Sequence, residues 1–151
     1  SEGVMAQNKS IQATFASIRD NINKATAKGV EDKFEDIASY VIYQAVPDQS
    51  IDTGAYVTSF SIGPAGFGGG RMRSSNNKPK GQNPSVMKDQ GFAQLQYDIQ
   101  NINFEDLVES GNTKFTIRNR SPHAYAVENG GVNWTFTQPY GVFAKIRRKF
   151  G

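Results

Sequence analysis

Residues 114–131 read Lys114-Phe115-Thr116-Ile117-Arg118-Asn119-Arg120-Ser121-Pro122-His123-Ala124-Tyr125-Ala126-Val127-Glu128-Asn129-Gly130-Gly131. Two hydrophobic periods meet in this stretch. From Lys114 to Asn119 apolar and polar side chains alternate, which puts Phe115 and Ile117 on one face of a strand. Ser121-Pro122 stops the strand, because the residue before a proline is pushed out of the helical region while proline itself suits the first helical position. His123 to Glu128 then supplies about two helical turns, and Asn129-Gly130-Gly131 ends them with a sharp return. A strand that passes through a proline turn into a helix predicts a mixed α+β architecture.

Upstream, Ile11, Phe15, Ile18 and Ile22 fall on one helical stripe, with Ser10 a candidate cap or a start nearer Val4. Lys28-Gly29 weakens the pattern, and Phe34, Ile37, Val41, Ile42 and Val46 resume it up to Pro47. The reading is two helices, or one long helix with a soft point at Gly29. Either forms a helical arm over residues 1–46, part of whose apolar stripe awaits a partner. Pro47 to Ser50 is turn chemistry, and Ala55 to Ile62 reads as a strand with Phe60 and Ile62 alternating against Ser59 and Ser61.

Residues 63–87 are rich in Gly, Pro, Ser, Asn and cations and carry little apolar material to offset their ordering entropy, so they read as a long flexible basic loop. Helix returns after Asp89, where Phe92, Leu95, Ile99 and Ile102 share a face, with Phe104 and Leu107 near its end. Trp134 and Phe136 predict a short strand. Pro139 opens a last helix from Tyr140 to Phe150, whose Lys145, Arg147, Arg148 and Lys149 suit the negative end of the helix dipole. The whole is expected to be one α+β domain over 1–151: a long N-terminal helical segment, and a small antiparallel sheet flanked by helices.

Composition narrows the function classes. There is no cysteine and only one histidine, which excludes a disulfide framework, thiolate metal sites and a His-rich cluster. A net charge of +3 is too mild to name a nucleic-acid partner by itself. No signal peptide or membrane span is visible, so a soluble protein made in a reducing cytoplasm is expected. Starting at Ser1 fits removal of an initiator methionine, and equally a trimmed chain.

Three local signals point to chemistry, each with a plainer counterpart. Ile51-Asp52-Thr53-Gly54-Ala55 resembles the active-site turn of retroviral-type aspartic proteases, in which two subunits share one proton between two Asp residues. The plainer reading is a turn in which Asp52 or Thr53 caps the backbone and Gly54 takes a conformation other residues resist. His123 with Asn119, Glu128 and Asn129 hints at a metal nuclease, but one histidine without paired acids makes an ordinary turn residue the better reading. Arg71, Arg73, Lys78 and Lys80 on the glycine-rich loop, and Lys145, Arg147, Arg148 and Lys149 at the other end, are candidates for contacting DNA backbone or a protein partner. The loop lacks the phosphate-loop pattern, and ordering on assembly is the preferred reading. No catalytic, cofactor or metal residues are assigned, and the chain is expected not to be an enzyme.

The order of parts resembles phage tail-completion and neck proteins, the broad group that includes the lambda minor tail protein Z family. Two blocks carry the resemblance: Pro47 followed by Thr53-Gly54-Ala55-Tyr56-Val57-Thr58-Ser59, and Ile117 to Gly131, with Arg118, Asn119, Pro122, Tyr125, Gly130 and Gly131 at the motif positions. The 63–87 loop is longer than the family pattern, and the proline-rich C-terminal close is matched only by Gln138-Pro139-Tyr140 and Arg147. The resemblance implies a structural virion subunit without cofactors, one of six or twelve copies in a ring between head and tail. Its partners would be its own copies, the adjacent portal or head-closure protein, tail proteins and, without sequence preference, the DNA passing through. A tail terminator or head-closure ring protein is the alternative position, and the Asp52 protease the remote one.

Overall fold

A computed structural model of the chain describes residues 26–71, 79–121, 124–129 and 140–151, together with the backbone of Ser17–Ile18. Among these residues five α-helices and a small antiparallel sheet make a mixed helix-and-sheet fold, as α+β requires. The elements are β1 (Ser17–Ile18), α1 (Ala27–Tyr40), a π-turn (Val41–Ala45), a 3-10 turn (Asp48–Ser50), β2 (Phe60–Pro64), α2 (Pro84–Gln100), α3 (Phe104–Ser110), β3 (Phe115–Asn119), α4 (Ala124–Asn129) and α5 (Val142–Phe150). The strand order is β1-β3-β2, all antiparallel, with Ile62 opposite Ile117.

The expected long N-terminal helix is not what the described residues show. Ser17 and Ile18 pair with Thr116 and Phe115 as a strand. That pairing takes up backbone groups on the edge of β3 that β2 leaves open. Ile11, Phe15 and Ile22 lie outside the described residues, as do Ser10, Trp134, Phe136 and Pro139. Gly29 is not a soft point inside a helix but sits in the first turn of α1. Thr26 caps that turn, its Oγ1 accepting from Gly29 N at 3.0 Å.

From there the apolar stripe performs as read. Phe34, Ile37, Val41, Ile42 and Val46 are all buried, and Val30, one turn earlier, joins them. Phe34 stands at the centre, edge-on to Phe104 at 5.2 Å and to Phe115 at 6.3 Å, so one ring ties α1, α3 and β3 together. The end of α1 widens into the π-turn, closed by Val46 N to Val41 O at 3.1 Å.

Two further boundaries move. Ala55 to Ser59 do not form a strand. Thr58 N and Oγ1 both donate to Gly54 O, the hydroxyl at 2.6 Å, and Ser59 Oγ donates to Ala55 O at 2.5 Å, which closes a helical turn before β2 begins at Phe60. Ser59 and Ser61 are buried as well, and Ser61 Oγ accepts from Arg71 N at 2.8 Å where the segment that follows β2 folds back. Nor is 63–87 one flexible loop. Gly63-Pro64 finish β2, and Pro84 opens α2 with Asn83 Oδ1 accepting from Val86 N at 3.2 Å. Between them, Arg118 Nη1 donates to the carbonyls of Gly68 and Gly69 at 2.8 and 3.1 Å.

Gly91 lies where α2 crosses the turn. A β-carbon there would stand 2.5 Å from Val57 O, so only glycine permits this approach. No helix among the described residues is long and apolar enough to cross a membrane.

Candidate functional site

The two sequence blocks that carry the resemblance meet in the interior. Asn119, fully buried at the end of β3, donates from Nδ2 to Tyr56 O at 2.8 Å and accepts at Oδ1 from Ser121 N at 2.9 Å. One carboxamide thus satisfies a carbonyl of the first block and an amide of the second. Thr53 Oγ1 accepts from Ala55 N at 3.2 Å, and Gly54 adopts φ +85° with Met87 against it, so a side chain at 54 would meet both a strained backbone and the Met87 thioether. This is the turn reading of the Asp-Thr-Gly segment. Asp52 itself is exposed, its Oδ1 accepting from Gly81 N and its carbonyl from Gln82 N, both at 2.8 Å.

From Ser121 the chain enters α4 through Ala124 N to Ser121 O at 3.1 Å. Buried Glu128 then receives α5: its carboxylate accepts from Phe143 N at 2.8 Å and from Ala144 N at 3.2 Å. A carboxylate on a helix N-terminus is stabilised by the unpaired amides and the dipole there. Among the described residues the buried Tyr56 hydroxyl has no hydrogen-bond partner. Burial pushes its pKa well above the ordinary phenol value, and the negative charge of Glu128 acts in the same direction. Pro122, His123, Gly130, Gly131 and the Tyr125 side chain lie outside the described residues.

The two groups of candidate cations are described in part. Arg71 turns inward, its guanidinium on Asp98 at 2.5 and 3.0 Å and on Phe60 O at 2.6 Å. Asp98 Oδ2 also accepts from Ile62 N at 3.1 Å. The pair therefore occupies backbone groups on the outer edge of β2 rather than facing solvent DNA. Lys80 is exposed. On α5, Lys145 Nζ donates to Ala45 O at 3.1 Å, and the Lys149 ammonium stands 6.0 Å from the Tyr40 ring. Arg147, Arg148 and Lys149 are exposed on consecutive positions of the last turn. Arg73 and Lys78 lie outside the described residues.

Asp98 was missed by sequence reading, although an acid among Leu95, Ile99 and Ile102 on the apolar stripe was a visible signal of a partnered charge. Lys88 was missed too. It is buried within α2 and paired with Asp48 at 2.7 Å. Beside the outer edge of β2 lies an open groove of about 420 Å³, lined among others by Ile62, Pro64, Phe67, Asp98, Ile102 and Asp106. Among the described residues no three His, Cys, Asp or Glu side chains gather as a metal site. No family model matches the chain, and neither does a curated protein or a solved structure.

Proposed function

We propose that the chain is a non-enzymatic subunit of a ring at the head–tail interface of a tailed bacteriophage, joining head to tail and leaving a passage for the genome. The supporting observation is the Asn119 carboxamide, which unites the two blocks the resemblance rests on, 63 residues apart, in one buried junction. Residues chosen to shape a subunit are expected to be engaged with backbone, as Thr53, Gly54, Ser59 and Asn119 are. The Asp52 carboxylate likewise serves as an acceptor for a loop amide. Its partners in this reading are copies of itself, the neighbouring portal or head-closure and tail proteins, and DNA contacted without sequence preference; the location is the virion. Electron microscopy of lysates from a phage lacking the gene tests it. Separate DNA-filled heads and finished tails are expected; intact particles overturn the proposal. Tails of uncontrolled length place the subunit as a terminator instead, and leaking heads as a head-closure protein.

A further inference from the structure

The groove beside β2 is lined by acceptors and by the carboxamides of Asn101 and Asn103, and its charged groups are carboxylates. Ile62 N donates to Asp98 on the outer edge of the strand, so Ile62 O, on the same edge in antiparallel pairing, points outward as well, and no hydrogen bond reaches it among the described residues. Asp98 and Asp106 add carboxylates on the walls, and no lysine or arginine lines the groove. Arg71 neutralises Asp98, whereas the exposed Asp106 has no cation partner among the described residues. On α3, Glu105 and Glu109 are exposed as well and add to the negative charge of the helix that carries Asp106. The floor is apolar, from Ile62, Pro64, Phe67 and Ile102. A ligand suited to these walls is rich in donors, positively charged, and apolar along its stem, which describes an arginine or lysine side chain.

The same chain carries the complement. Arg147, Arg148 and Lys149 stand exposed in the last turn of α5, and Arg148 forms no ion pair within the chain among the described residues. Their stems suit an apolar floor and their heads an acidic rim. We infer that the groove beside β2 receives the basic last turn of α5 from a second copy of this chain, with Arg148 against Asp106. This inference rests on the ring reading and assigns one of its subunit contacts. Opposite charges on two separate surfaces of one molecule favour head-to-tail association, which closes into a ring when the rotation allows.

Charge reversal tests it on the full chain by sedimentation velocity and native mass spectrometry, with circular dichroism confirming the fold of each variant. Asp106→Arg and Arg148→Glu are each expected to shift the wild-type oligomer to monomer, with at least a tenfold weaker association. The double variant, which restores opposite charges, is expected to reassemble. An oligomer indifferent to all three variants overturns the contact while leaving the ring reading standing. A wild-type chain that stays monomeric at every concentration also overturns the contact, and the ring reading is then decided separately by particles from the gene-deleted phage. Loss of assembly in both single variants without recovery in the double variant overturns the pairing of these two residues.

Discussion

The junction at Asn119 and the latch at Asp98 perform the same task in different surroundings. Both satisfy backbone groups beside the sheet, at the end of β3 and on the outer edge of β2. The junction is fully buried and uses a neutral carboxamide. The latch is partly open, with Arg71 and Asp98 side chains 19% and 14% exposed, and uses an ion pair. The difference follows from desolvation. A charge taken fully out of water needs strong compensation, whereas an edge that keeps some water holds a charged pair at small cost. The one buried carboxylate of the junction, Glu128, sits on a helix N-terminus, where amides and dipole provide that compensation.

Asn119→Ala is the harshest test of the buried side. It removes the acceptor of Ser121 N and one of the two donors to Tyr56 O, which keeps its bond from Ser59 N, so at roughly 1–3 kcal/mol for one buried unsatisfied group a loss of about 1–3 kcal/mol in urea unfolding is expected. A loss below about 1 kcal/mol would mean that water reaches the site and the contrast with the latch is gone. Gly91→Ala comes next. The added methyl meets Val57 O, so overpacking of about 1–3 kcal/mol outweighs the roughly 1 kcal/mol that alanine gains in a helix interior. A more stable variant would show that α2 slides freely over the turn.

Asp98→Asn keeps the shape of the latch and removes its charge. A cost of about 1–2 kcal/mol is expected, shrinking as salt rises, while the cost of Asn119→Ala stays flat with salt. Parallel salt responses of the two variants would erase the distinction drawn here. The smallest effect is spectroscopic. The Tyr43 hydroxyl donates to Asp89 at 2.7 Å, and desolvation, then that bond and its charge, push the phenol up to about 12. Its folded pKa lies above the unfolded one, so any stability it adds is complete below about pH 10 and lost as pH rises towards 12. Tyr43 is 41% exposed, which keeps that stability small. Ultraviolet titration of Asp89→Asn should show one tyrosine ionising at lower pH than in the wild type; an unchanged curve removes Asp89 as a cause.

How much was legible follows the same division. Period alone located β3, the α1 stripe from Phe34 to Val46, and the inner face of α2, because burial there is one-sided and repeats. It misread Ala55 to Ser59. Tyr-Val-Thr favours strands, but two hydroxyls bonding back to carbonyls four residues earlier won locally. The start of α2 was marked by Asn83-Pro84, a cap followed by an N1 proline, yet the glycine-rich and basic context hid it. In the candidate site, Gly54 and the acid at 128 drew notice from residue type alone. The pairing of Asn119 with Tyr56 did not, since a hydrogen bond spanning 63 residues leaves no local signature in one sequence.

The π-turn at the end of α1 has a bearing on the order in which the chain acquires its structure. Ala45 O receives its partner from Lys145, one hundred residues on, and the Tyr40 hydroxyl donates to Lys145 O at 3.4 Å. The first long helix is therefore finished by the last one. A nascent chain leaving the ribosome holds a frayed helix end until α5 has been made, because closing so long a loop precedes any gain from the contact. Pulse-labelled amide exchange would accordingly show protection at Val41–Val46 arising together with protection in α5, as one late event rather than an early local one.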